Sequence, residues 1–270
     1  MGKITQHPIL NTLINLISRR LITALAFFLG TGLLIIFTNL QSSSGLTKIS
    51  TSVYSDLIIS LLSSPPKSHP LPPTLAQWQD STNSGDYFSQ VTTTQVGYLI
   101  WSQFPIRVYV ESPKTVNEKQ AQVWINGVLQ GVHEWSNYLP LTIVEQPEIA
   151  DITIARKAPP LQISPGSNIP RARSAQTTYE LYTSNNVLSH RFTILLSPSQ
   201  TGDYLIAATR HEFGHALGIW GHSPLQTDAL YFSQVRNPSP ISPRDVNTLK
   251  RVYEQPTSLG WSLVDNSKMN

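Results

Sequence analysis

The stretch from Leu21 to Leu40 is the sequence feature that most constrains how this chain is organised. It contains 20 predominantly apolar residues without a charge, and no charged residue follows it until Lys48. A helix of this length spans roughly 30 Å, which is the thickness of the hydrocarbon core of a bilayer. We therefore predict one N-terminal transmembrane helix over residues 21–40, which anchors the chain in a membrane.

The charges beside this stretch predict its orientation. Arg19 and Arg20 flank its amino end, and the positive-inside rule then keeps residues 1–20 in the cytoplasm. Everything after residue 40 lies on the non-cytoplasmic side of a single-pass protein. The alternative is a signal peptide cleaved near residues 42–45, which would release a secreted or periplasmic protein, but its apolar core is usually only about 7 to 15 residues long.

Charge and cysteine usage exclude several classes of function. The 19 basic and 16 acidic residues give a net charge of +3, and that excess is matched by Lys3, Arg19 and Arg20. The rest of the chain is electrically balanced, so we predict no nucleic-acid binding. The chain has no cysteine, which excludes disulfides, thiolate metal sites and cysteine nucleophiles. Any metal ion must be held by histidines and carboxylates.

Composition divides the rest of the chain into three parts. Residues 41–95 are rich in Ser, Thr and Pro, with five prolines between Ser64 and Pro73, and predict a linker. A folded domain is predicted over residues 96–258, followed by a C-terminal tail over residues 259–270.

Periodicity predicts a layered α/β or α+β domain with a small twisted sheet and two long helices. The first long helix follows a capping-box pattern of Thr115 and Glu118. Its buried face is predicted to carry Ala121, Trp124, Val128, Val132 and Trp135. The predicted strands are residues 106–110, 141–144, 151–155, 172–183 and 191–196, and the second long helix covers residues 202–217.

The second long helix carries a metal-binding pattern. His211, Glu212 and His215 form H-E-x-x-H, and residues i and i+4 of a helix share a face, so both imidazoles can reach one ion. A catalytic zinc takes three protein ligands and leaves one position open for water. His222 is the candidate third ligand, and Asp228 is the alternative.

At these residues the sequence resembles the metzincin zinc metallopeptidases, with the matrixin-like branch nearest. The segment HEFGHALGIWGHS at 211–223 resembles the extended zinc motif of that family. TDALYF at 227–232 is similar to its Met-turn, and ISPRDVNTLKRVYE at 241–254 to its closing helix. The resemblance implies an α+β, zincin-like fold over roughly residues 97–257, in which a small twisted mixed sheet packs on two long helices and a C-terminal helix follows. It also implies one catalytic zinc ion held by His211, His215 and His222, with Glu212 as the general base.

The sequence departs from the family pattern at two positions. His222 follows Gly218 by four residues where the family has three, and we expect Gly221 to absorb the extra residue with a positive φ. Leu230 replaces the methionine of the Met-turn. The family resemblance implies that this methionine packs beneath the zinc site and does not bind the ion. Leucine for methionine conserves volume, so we expect little effect on the site.

These features predict a membrane-anchored, zinc-dependent endopeptidase in which a zinc-activated water hydrolyses a peptide bond. The partners are a peptide or protein substrate, extended along the edge strand predicted at 172–183, and the membrane through residues 21–40. The alternative is a catalytically inactive, membrane-tethered zincin-like binding module, suggested by the extra residue and by Leu230.

Several other polar residues have simpler interpretations. His133 and His190 have no partner in the sequence pattern, and we interpret them as surface or hydrogen-bonded structural residues. Asp245 follows Ser242 and Pro243 and is predicted to be the capping-box acid of the last helix. Tyr231 is predicted to pack, and Arg171 and Arg173 to be solvated or to orient substrate; the substrate-binding residues cannot be assigned from the sequence.

Overall fold

The computed structural model describes residues 65–163 and 170–262. The predicted cytoplasmic segment 1–20 and the predicted anchor 21–40 lie outside these ranges. Within the described ranges, no helix has both the length and the apolar character needed to cross a membrane.

The described residues form four helices, seven strands and three short 3-10 turns. The helices are α1 (Pro73–Gln77), α2 (Glu118–His133), α3 (Gly202–Ala216) and α4 (Pro243–Tyr253). The strands are β1 (Ile106–Val110), β2 (Leu141–Ile143), β3 (Ile152–Arg156), β4 (Gln162–Ile163), β5 (Pro170–Arg171), β6 (Ala175–Ser184) and β7 (Val187–Leu196).

Five strands form one mixed sheet in the order β2-β1-β3-β7-β6, and β4 pairs with β5 in a separate small ladder. The strand pairs from β2 to β7 are parallel, and only β6 runs antiparallel to its neighbour. The prediction of a mixed sheet with helices is therefore confirmed. β6 lies at an edge, as predicted. It is joined to β7 by Asn185 and Asn186, whose φ angles of 50° and 60° suit a two-residue hairpin.

The two long helices pack on each other and on the sheet. α3 contacts β6 and β7, and α2 contacts β1. A Cβ atom on Gly131 of α2 would lie 2.9 Å from the carbonyl oxygen of Ile206, so the helices approach closely where glycine allows it. All five residues of the face predicted for the first helix are buried: Ala121, Trp124, Val128, Val132 and Trp135.

The two predicted capping boxes, at the starts of α2 and α4, have different outcomes. The capping box predicted at Thr115 and Glu118 is wrong, because α2 begins two residues later and Asn117 caps it by accepting a hydrogen bond from the Gln120 amide. Asparagine competes well with threonine at this position. The box at α4 is confirmed, since Ser242 and Asp245 each accept a hydrogen bond from the other's backbone amide.

The packed region begins earlier than the predicted domain start at residue 96. Residues 65–95, which we call the N-terminal strap, lie against the domain. Leu75 is fully buried, the Trp78 indole donates to Asn247, and the Tyr87 hydroxyl donates to Asp245 at 2.6 Å. The segment is rich in proline at its start, yet apolar side chains along it are buried in the same core.

The predicted tail boundary also shifts. Leu259 is buried, and the Gly260 amide donates to the carbonyl of Leu188 at 2.8 Å. The packed region therefore continues past residue 258, because the chain after α4 returns to pair with the start of β7.

Candidate metal centre

Helix α3 brings two histidines together at its C-terminal end. The Nε2 atoms of His211 and His215 lie 3.1 Å apart. The Nδ1 atom of His211 donates to the carbonyl of Ala229 at 2.9 Å, and that of His215 donates to the carbonyl of Ile219 at 2.7 Å. A hydrogen bond from Nδ1 to a carbonyl fixes the tautomer that leaves the Nε2 lone pair free for a metal ion.

The third histidine joins this pair from the loop after α3. One ligating nitrogen from each of His211, His215 and His222 lies within 4.8 Å of the other two. His215 is buried, His211 is half-buried and His222 is exposed. The three side chains can therefore hold one metal ion that remains accessible from solvent.

Desolvation of the rings favours the neutral form of two of these imidazoles. It lowers the pKa of His215 well below its usual value, with further lowering from the neighbouring His211 and His222. Partial burial of the His222 ring, together with His211, lowers its pKa to about 4. The neutral imidazole is the form that binds metal.

The chain between α3 and His222 turns through two consecutive short-range hydrogen bonds. Gly218 follows the C-cap of α3 and has a φ of 125°, a positive angle that glycine adopts without steric cost. The Trp220 amide then bonds to the Gly218 carbonyl, and the Gly221 amide bonds to the Ile219 carbonyl, each at 2.9 Å. The predicted role of Gly221 is wrong, because its φ is not positive. A Cβ atom there would instead lie 2.1 Å from the Gln90 carbonyl oxygen, so glycine is required by close packing.

Asp228 does not join the three-histidine group. Its buried carboxylate accepts hydrogen bonds from the hydroxyls of Ser223 and Ser242 and forms an ion pair with Arg244 at 3.1 Å. These partners occupy the oxygens that a metal ligand would need. The geometry therefore favours His222 over the alternative third ligand.

Leu230 lies beneath the helix that carries the first two histidines. It is fully buried, and a Cβ atom on Gly214 of α3 would lie 2.7 Å from its Cδ2 atom. Its carbonyl accepts a hydrogen bond from Ser223, the residue after His222, at 2.8 Å. Asp245 accepts from the amides of Ala229 and Leu230 at 2.8 and 3.4 Å, which ties this turn to the start of α4.

Glu212 is buried beside the histidines and is held by a residue that sequence reasoning missed. The Thr177 hydroxyl lies 2.6 Å from Glu212 Oε2 and 3.0 Å from the Glu212 carbonyl, and it donates to these oxygens. Burial raises the pKa of Glu212, and His211, Thr177 and Arg173 partly oppose that rise. Thr177 lies on β6, and only the predicted edge strand hinted that this segment approaches the site.

The three histidines and Glu212 line an open cleft of about 860 Å³. Residues 171–177, which include Arg171 and Arg173, line one part of the cleft, and residues 231–235 line another. The Arg173 guanidinium bonds to Gln162 at 2.8 Å. The Tyr231 ring packs against that of Phe232 at an angle of 50°, and Phe232 is 64% exposed.

The other two histidines in the predicted domain lie outside the cluster. His133 is exposed at the end of α2. His190 is buried and stacks on Trp101 at 4.0 Å, and burial lowers its pKa to about 3. Its Nε2 atom has no hydrogen-bond partner among the described residues, so the prediction of a hydrogen-bonded histidine is wrong for that atom.

Comparison with known proteins gives no further assignment: no protein-family model matches the sequence, and no curated protein matches it significantly.

Proposed function

We propose that this chain is a zinc-dependent endopeptidase with a zincin-like fold, similar to the matrixin-like metzincins. One observation carries the proposal. His211, His215 and His222 converge at an open cleft, with the buried carboxylate of Glu212 beside them. Structural zinc sites have four protein ligands and no open position, whereas three ligands with access to solvent are typical of catalytic sites.

The donor set fits zinc. Two nitrogens bound to one tetrahedral zinc ion at about 2.0–2.1 Å lie roughly 3.3 Å from each other. The Nε2 atoms of His211 and His215 are 3.1 Å apart, and their Nδ1 atoms already have carbonyl partners. Two neutral imidazole acceptors at that distance repel each other unless a cation or a proton lies between them.

Bound at these three histidines, zinc supplies Lewis acidity that polarises a peptide carbonyl and makes a water molecule more acidic. Glu212 is positioned to take the proton from the attacking water and then to pass it to the leaving amine. The only other carboxylate lining the cleft in the described ranges is Asp228, which Arg244 neutralises. The burial that raises the pKa of Glu212 improves its match to this exchange near neutral pH.

The shape of the cleft supports an extended peptide as substrate. β6 is the edge strand of the sheet, and its first residues form one wall of the cleft. Backbone amide and carbonyl groups on a sheet edge can pair with the main chain of an added strand. Such pairing would make the enzyme prefer exposed, unfolded segments of a protein substrate.

Replacing Glu212 tests the proposal directly. We expect Glu212→Ala to abolish casein hydrolysis by the purified full-length chain and to leave one zinc ion bound, because Glu212 is not among the three ligating groups. Asp203→Ala is the matched control, since Asp203 is an exposed acid on the same helix. Undiminished activity in Glu212→Ala would contradict the mechanism. Zinc binding without any wild-type hydrolysis would favour the alternative, an inactive tethered binding module.

We also propose that residues 21–40 anchor the enzyme, with the catalytic domain on the non-cytoplasmic side. The support is the uncharged stretch preceded by Arg19 and Arg20. Protease added to the non-cytoplasmic face should digest residues 41–270 and spare residues 1–20. Protection of the large domain would overturn this topology, and a soluble product starting near Gly45 would indicate a cleaved signal.

A further inference from the structure

We propose that the N-terminal strap is part of the metal centre, because its segment Gln90–Thr92 positions His222. This inference rests on the metal centre of the proposed function. It assigns a positioning role to residues that lie about 130 positions before the ligand in the chain.

The strap pairs with the two residues that immediately precede His222. The Thr92 amide donates to the carbonyl of Trp220 at 3.0 Å, and Val91 forms an antiparallel bridge with Gly221. The Gly221 position is also where a Cβ atom would lie 2.1 Å from the Gln90 carbonyl oxygen. The strap therefore sets the path of the main chain directly before the third ligand.

His222 needs this support more than the other two histidines do. His211 and His215 are held by α3, and each donates a hydrogen bond from Nδ1 to a carbonyl. Across residues 65–163 and 170–262 no hydrogen bond to the ring of His222 occurs, and the side chain is exposed. Its ring also contacts the rings of His211 and His215, and the main chain on its two sides is held by the strap before it and by the Ser223–Leu230 hydrogen bond after it.

The strap also explains how the extra residue before His222 is accommodated. Helix α3 ends at Ala216 and the carbonyl of Ile219 is held by the Nδ1 atom of His215, so the path that remains to be set is that of Trp220 and Gly221. Pairing with the strap selects one path, and it does so at Trp220 and Gly221. Losing a group that orients a metal ligand typically weakens metal binding about 10- to 100-fold, and we expect an effect of that size here.

The test compares two substitutions at Thr92 in the full-length chain. Thr92→Pro removes the amide that bonds to Trp220, whereas Thr92→Ala removes only the side chain and keeps that amide. The preceding residue, Val91, has φ −84° and ψ 126°, which suits a residue before proline. Zinc affinity is measured by competition with a chelator. The absorption spectrum of bound Co²⁺ reports the coordination geometry.

We expect Thr92→Pro to bind zinc at least about 10-fold more weakly than Thr92→Ala and to alter the Co²⁺ spectrum. Gly97→Ala controls for general destabilisation. Its methyl group would lie 2.6 Å from the Pro256 carbonyl oxygen, so it disturbs the chain just after the strap without touching the contact with Trp220 and Gly221. Equal zinc affinity in Thr92→Pro and Thr92→Ala would overturn the inference. So would a loss of affinity in Gly97→Ala that matches the loss in Thr92→Pro.

A measurement on the unaltered chain covers the case in which Thr92→Pro does not fold. Coupling between two sites is reciprocal, so zinc must stabilise the strap contact if that contact favours zinc binding. We expect zinc to slow hydrogen exchange of the Thr92 amide, and unchanged exchange would overturn the inference. If the wild-type chain binds no zinc at all, the proposed function itself fails, which is a different result.

Discussion

The candidate metal centre combines two regions that hold their histidines in different ways. His211 and His215 lie on one helix, and their spacing of four residues places them on one face whatever the rest of the chain does. His222 lies on a loop between the strap and the turn at Leu230. Local geometry is enough for the first pair, whereas the third ligand depends on contacts between segments far apart in the sequence.

Substituting the ligands one at a time should give the largest difference between these regions. We expect His215→Ala to weaken zinc binding roughly 100-fold or more, because it removes a ligand that is already oriented. We expect His222→Ala to cost at least about 10-fold, but less than His215→Ala, since part of its binding free energy is spent on ordering an exposed side chain. Chelator competition measures both affinities. Equal losses would mean that the loop holds its ligand as firmly as the helix does.

Asp228→Ala should separate the stability of the loop region from metal binding. This change leaves Arg244 without its ion-pair partner. Removing one member of a buried pair lowers the free energy of unfolding by about 3 kcal/mol. We expect a somewhat smaller loss here, because Arg244 is partly exposed. Urea denaturation measures that loss. Zinc affinity in the folded variant should fall much less than in His222→Ala. If Asp228→Ala strips the metal and His222→Ala does not, the third ligand is Asp228.

Thr177→Val should give the smallest effect on the site. It removes the hydrogen bond from Thr177 of β6 to Glu212, which α3 already holds. Losing a hydrogen bond to a charged group costs about 1.5–3 kcal/mol at most, so we expect casein turnover to fall roughly 10-fold with zinc still bound. The Thr177 hydrogen bond lowers the pKa of Glu212. Because the base must be deprotonated, removing that bond should shift the acidic limb of the activity profile to higher pH.

Thr177→Ser is the matched variant for this prediction, since it keeps the hydroxyl. We expect it to retain most of the turnover and the wild-type pH profile. A profile that does not move in Thr177→Val would show that α3 alone positions Glu212.

The parts of the site that the sequence predicts well are those with a local cause. The strand alternation of residues 106–110, the capping box at Ser242 and the helix carrying His211 all depend on neighbours within a few positions. The strap was missed because five prolines and many polar residues are typical of a spacer, and nothing local shows that Leu75 is buried. Thr177 and the packing role of Gly221 likewise depend on segments that only the folded chain brings together.

The hydrogen bonds of Asp245 have a consequence for the order in which the site can form during synthesis. Its carboxylate accepts hydrogen bonds from the Tyr87 hydroxyl of the strap and from the amides of Ala229 and Leu230. The carbonyl of the same Ala229 accepts the hydrogen bond from His211. A chain is synthesised from its N-terminus at about 5–20 residues per second. All three histidines therefore leave the ribosome before the residue that fastens the turn beneath them.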